Sequence, residues 1–125
     1  MFERFRFCLN PDCGINFDAT NPLANCCTKR CNNRLSYLRK LAKKALGKGA
    51  SKEALYTYMI IKCLYDRQMR RPSQELLLKM GANFKSFGPP KPYIYGDATS
   101  VISIGEFGLF QIDESNHAIV KKSNY

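Results

Sequence analysis

The chain has 125 residues, with 20 Lys+Arg against 10 Asp+Glu, a formal net charge of +10 and a sequence pI of about 9.5. Hydrophobic residues at 45% and aromatics at 12% are enough to bury a core, which excludes wholesale disorder. The charge excess selects polyanionic partners: nucleic acid, an anionic membrane or an acidic protein surface. No apolar run approaches the roughly 18–20 residues of a membrane span, and the longest, Tyr56 to Leu64, is broken by Lys62. Met1–Phe7 alternates charge with Phe and lacks the apolar stretch of a secretory signal, so the expectation is a cytoplasmic chain with no membrane contact.

Phe2, Phe5 and Phe7 interleave with Glu3, Arg4 and Arg6, which predicts a short strand over residues 3–8. That strand runs into a cysteine cluster. Five of the six cysteines (Cys8, Cys13, Cys26, Cys27 and Cys31) fall in the first 31 residues, and Cys63 lies apart. A secreted disulfide scaffold spreads its cysteines and follows an export signal; clustering favours a metal site instead. Between Cys8 and Cys13 stand Leu-Asn-Pro-Asp, and Gly14 follows; these turn formers bring two thiolates onto one tight loop. Residues 18–25 read as loop. Cys27 and Cys31, spaced i and i+4, lie on one helix face. Cys26/Cys31 is the alternative pair, and the i,i+4 pair is favoured because it converges better. The expected ligands are therefore Cys8, Cys13, Cys27 and Cys31, holding one structural Zn²⁺ with no open position for catalysis.

A helix is predicted over 28–46, with Leu35, Leu38, Leu41, Ala42 and Ala45 on its buried stripe and Gly47 and Gly49 at its end. Tyr37 is read as core, with base stacking as the alternative. Because so short a segment has little core of its own, loss of zinc is expected to unfold residues 1–45. Ser51 caps a second helix, with Leu55, Tyr56, Met59, Ile60, Cys63 and Leu64 buried, expected to run to Arg71 before Pro72. Ser73 caps a third through Met80, closed by Gly81. Gly88-Pro89-Pro90-Lys91-Pro92 is a rigid break. Beyond it Tyr93–Tyr95, Val101–Ile104, Phe107–Ile112 and Ala118–Val120 predict an antiparallel meander of three or four strands.

The resulting fold class is α+β: an N-terminal treble-clef-like zinc finger, two further helices and a C-terminal antiparallel β meander. The expected parts are a finger with a basic helix over 1–46, a helical segment over 47–88 and a β-rich segment over 89–125 packed on the helices. Arg67, Arg70 and Arg71, with Gly81-Ala82-Asn83 as a turn, raise a helix-turn-helix reading of the middle segment.

Cys13-Gly14-Ile15-Asn16-Phe17, then Cys27-Thr28-Lys29-Arg30-Cys31-Asn32-Asn33-Arg34-Leu35-Ser36-Tyr37-Leu38-Arg39, resembles small treble-clef fingers of the FCS and MYM types, found in short proteins of bacterial phages and mobile elements. The resemblance covers residues 5–44. It implies zinc on the four cysteines, Phe17 packed under the knuckle, and a nucleic-acid or protein contact role. Four residues separate the first cysteine pair where the family has two, Cys26 stands where an aromatic is expected, and Thr28 replaces Ser.

Between Lys29 and Lys52 stand Lys29, Arg30, Arg34, Arg39, Lys40, Lys43, Lys44, Lys48 and Lys52, with no carboxylate among them. A solubilising helix mixes signs in i,i+4 pairs, so an all-basic stretch reads as a phosphate-tracking surface. Residues 92–120 hold Asp97, Glu106, Asp113 and Glu114 and no Lys or Arg. His117, the single histidine, is placed in an exposed loop without a partner, and neither a Walker loop nor a nucleophile motif is present. The expectation is a non-enzyme that binds nucleic acid, DNA before RNA, as a regulator or accessory factor of a phage or mobile element, with no small-molecule substrate. The alternative is an interaction module or inhibitor that docks on an acidic surface, anchored by Phe84, Phe87, Tyr93, Tyr95, Phe107 and Phe110.

Overall fold

A computed structural model describes residues 5–14, 16–18 and 26–125. The predicted strand at 3–8 appears as β1 (Phe5–Phe7), pairing antiparallel with β2 (Asn16–Asp18) so that Arg6 faces Phe17. Residues 3–4 of that strand, and 19–25 of the predicted loop, lie outside the described residues. Three helices follow: α1 (Lys29–Leu46), α2 (Lys52–Asp66) and α3 (Gln74–Lys79). Each has its first turn capped by a hydroxyl, with Thr28, Ser51 and Ser73 accepting from the backbone N–H three residues on.

The second helix stops sooner than expected, at Asp66 and not at Arg71. Gln68 takes φ +62°, its N–H donates to the Tyr65 carbonyl at 3.0 Å, and Met69 N–H donates to the Leu64 carbonyl at 2.9 Å. That pair of bonds is a Schellman closure with glutamine in the left-handed position where glycine is usual. After α3, Gly81 makes the same kind of closure at φ +95°. The chain then forms a 3₁₀ turn, Phe84–Phe87, where a helix-turn-helix would need its recognition helix.

The meander is four-stranded, β3 (Lys91–Tyr95), β4 (Ala98–Ile104), β5 (Phe107–Gln111) and β6 (His117–Lys121), each paired antiparallel with its sequence neighbour. Its first two hairpins turn on Gly96-Asp97 and Gly105-Glu106, with φ +59° and +60° at the glycines, the first-position requirement of a type II′ turn. The free side of β6 is covered: His117 N–H donates to Pro72 O at 3.1 Å and Ile119 N–H to Arg70 O at 2.7 Å, so the α2–α3 connection runs along it as a strap.

The sheet has two apolar faces. Ile104, Phe107, Leu109 and Ile119 join Leu35, Leu38 and Ala42 of α1, Tyr58, Met59, Ile60, Ile61, Cys63 and Leu64 of α2, and Leu77 of α3 in one core. On the other face Val101 and Phe110 pack with Ala98 beneath Tyr93, Tyr95 and Tyr125. Thus α1 is held by the common core as well as by whatever binds its N-terminal cysteines. No helix among the described residues is long and apolar enough to cross a membrane.

Candidate metal centre and basic helix

The turn at 11–13 and the start of α1 bring Cys8, Cys13, Cys27 and Cys31 together, with their sulfurs all within 4.8 Å of one another. Cys13 Sγ lies 3.7 Å from Cys27 Sγ, and Cys27 Sγ 3.7 Å from Cys31 Sγ. Four thiolates about 2.3 Å from a tetrahedral ion stand about 3.8 Å apart, close to the two 3.7 Å separations here. These four residues can hold a metal. Cys26 is outside the set and packs, half-buried, against the main core.

Local geometry makes the convergence. Cys13 and Gly14 N–H both donate to the Asn10 carbonyl, at 2.9 and 3.2 Å, and Asp12 N–H donates to Asn10 Oδ1, which closes the knuckle. Gly14 takes φ +68° as the chain leaves it. The loop is tied down from outside by Tyr56, whose hydroxyl donates to the Leu9 carbonyl at 2.9 Å. Asn10 and Thr28 hydrogen-bond the Cys31 sulfur and bring its thiol down to about 7, while burial and hydrogen bonds from Cys13 and Cys31 push Cys27 up to about 12.

Cys63 is buried in the core as the sequence indicates, and burial followed by the neighbouring Asp12 pushes its thiol up to about 12. Asp12 also receives Arg34 Nε at 3.0 Å. That pairing turns the Arg34 guanidinium to the knuckle, where a phosphate would compete with Asp12 for it. Helical geometry puts Arg34 about 120° around α1 from Lys40, so the two do not share a face. Arg30 and Arg34 instead line one cleft with Asn10, Asp12, Cys13 and Cys31. A tetrathiolate centre around a divalent ion carries −2, and these two arginines stand where they offset it.

Lys29, Arg39, Lys40, Lys43, Lys44 and Lys48 are exposed, as is Lys52 at the start of α2. Among the described residues no ion pair engages any of them. Arg30, Asn33, Tyr37, Lys40 and Lys44 recur at the spacing of one outer stripe, opposite buried Leu35, Leu38 and Ala42. Tyr37 is 53% exposed on that stripe, which corrects its assignment to the core.

His117 is likewise not where the sequence places it. It opens β6, is buried, and its Nδ1 has no hydrogen-bond partner among the described residues. Burial lowers its pKa, against a smaller opposing pull from Asp113. Of the six aromatics considered as anchors, Phe107 and Phe110 are buried, Phe84 and Phe87 half-buried, and only Tyr93 and Tyr95 exposed.

No protein-family model, curated protein or solved structure matches this chain.

Proposed function

We propose that this is a small zinc-stabilised nucleic-acid-binding protein in which a treble-clef-like knuckle positions a basic helix against phosphates. The supporting observation is the outer side of α1: lysines exposed, in no ion pair among the described residues, and carried directly behind the cysteine cluster on the same helix. Zinc follows from the donor set, four soft thiolates that complete a tetrahedral shell, and its role is structural. The family resemblance over residues 5–44 points the same way, to a regulator or accessory factor of a phage or mobile element acting on DNA.

Fluorescence anisotropy of the metal-loaded protein against labelled DNA, repeated from about 50 to 200 mM salt, tests this reading. Five contacts from Lys29, Lys40, Lys43, Lys44 and Lys48 give a log–log slope near −4.5, or roughly a 10²–10³-fold loss across that range. Lys40→Glu with Lys44→Glu flattens the slope by about two. Unchanged affinity and slope in that double variant would mean that α1 is not the contact surface.

The alternative, a protein-docking module, draws support from β3, where Ile94 is 84% exposed between Tyr93 and Tyr95 at 41% and 39%. Under the nucleic-acid reading, wild type and Ile94→Asp bind DNA equally; wild type that binds no DNA at about 150 mM salt would favour the alternative.

A further inference from the structure

We propose that Tyr37 is a base-stacking platform, and that the nucleic acid carried along α1 is single-stranded. This rests on the nucleic-acid reading above and names its ligand more narrowly.

An aromatic ring 53% exposed in the middle of a cationic stripe is costly to leave in water and contributes nothing to the core. The ring is also braced. The Arg34 guanidinium lies 5.6 Å from its centroid, and Arg34 is itself fixed by the 3.0 Å bond to Asp12 in the knuckle turn. The metal loop therefore positions the ring through two contacts, Asp12 to Arg34 and Arg34 to Tyr37. Among the described residues no other aromatic ring packs on Tyr37, which leaves a face for a ligand. Lys40 stands one turn ahead on the same stripe and Lys44 two turns ahead, placed for the phosphates of a strand whose base lies on the ring.

A duplex offers such a ring no partner. Its bases are already stacked on each other and show only their edges in the grooves. A single strand presents a π-face at every base, and a lone tyrosine flanked by lysines meets it without sequence preference. The exposed tyrosines of β3 do not compete for this role. Tyr93 and Tyr95 already pack on Phe110 and Tyr125, and the charged residues from 92 to 120 are all carboxylates.

The test is anisotropy at fixed salt with a labelled oligothymidine and a labelled hairpin duplex, on metal-loaded wild type, Tyr37→Ala and Tyr37→Phe. Circular dichroism confirms that the helices persist in each variant. The expected result is tighter binding of the single strand, a roughly 5- to 150-fold loss for Tyr37→Ala on that strand only, and retention in Tyr37→Phe. The salt slope should match wild type, because stacking releases no counterions. Equal affinity of Tyr37→Ala and wild type for oligothymidine, or an equal loss on both ligands, overturns the stacking role. Preference for the duplex overturns the single-strand assignment while leaving the basic helix intact as a contact surface. Binding to neither ligand overturns this proposal together with the reading it rests on.

Discussion

Chelating the metal should release the knuckle and leave the rest of the molecule folded, with the boundary near residue 34. The balance follows from what holds each part. Ordering residues 8–14 and 26–28, about ten residues, costs roughly 10–20 kcal/mol of backbone entropy. Against this the loop has the Tyr56–Leu9 hydrogen bond, worth about 1 kcal/mol. The Arg34–Asp12 pair adds at most about 1 kcal/mol, since its side chains are 36% and 26% exposed. Half-buried Leu9 adds about another 1 kcal/mol. A structural zinc brings about 10–16 kcal/mol and reverses the sign. By contrast Leu35 and Leu38 are fully buried against α2 and the sheet, each contributing about 1.5–3 kcal/mol whether or not metal is present. Hydrogen exchange read by mass spectrometry, before and after chelation, should show protection lost over 5–14 and 26–31 and kept over 35–46. Cys13→Ser should reproduce the pattern, and metal analysis should find one ion per chain. Loss of protection throughout α1, with close to half of the helical signal, would show that the common core does not hold that helix. Protection retained over 8–14 without metal would show that the cysteines need no ion.

Acidification should destabilise the fold through His117. Its folded pKa is depressed by burial, so below about pH 6.5 the unfolded chain takes up a proton that the folded one resists, and stability falls until the folded pKa is passed. Urea titrations between pH 7.5 and 5 should show this fall, and His117→Leu should remove part of it; an identical pH dependence in the variant refutes the assignment. Gly105→Ala should cost about 2–4 kcal/mol, because φ is +60° and a Cβ would stand 2.8 Å from the Tyr58 ring, whereas Gly96→Ala, with φ +59° and open space, should cost about 1 kcal/mol. Equal melting temperatures for these two would mean that Tyr58 yields. Gln68→Gly should raise stability by up to about 1 kcal/mol by relieving the φ of +62° at the end of α2, which thermal or urea unfolding can read directly.

Much of this was legible in the residue pattern, for reasons that differ by element. The cysteine pairs are local features, a turn and an i,i+4 step, and their meeting needs only the loop between them. The meander is equally local, since Gly96 and Gly105 stand where two-residue hairpins need them. The misreadings depend on contacts distant in sequence or on a conformation the residue type does not announce. Pro72 sets only the latest end of α2, and a glutamine in the left-handed region ended it six residues before that proline. His117 follows a turn-forming run, but the strap at Arg70–Pro72 covers it, and that strap lies more than forty residues earlier in the chain. Arg34 is paired by Asp12, 22 residues away, across the knuckle. Tyr37 was a matter of angle, since two residues carry it about 160° around the helix from buried Leu35.

The ordering of the sheet has a kinetic consequence. Every strand in β3–β4–β5–β6 pairs with its immediate neighbour in sequence, and β1 with β2 in the same way. Such contacts are reached by short loop closures, so the hairpins can form before the sheet docks on the helices. A knuckle closed by a metal would be slower, because its last step takes an ion from solution. In rapid-mixing refolding, the far-ultraviolet signal should therefore recover in a first phase indifferent to metal concentration. Closure of the cysteine loop should follow in a second phase whose rate rises with free metal, so that metal supply, and not chain folding, sets when the knuckle and the first turn of α1 are fixed on a scaffold already complete.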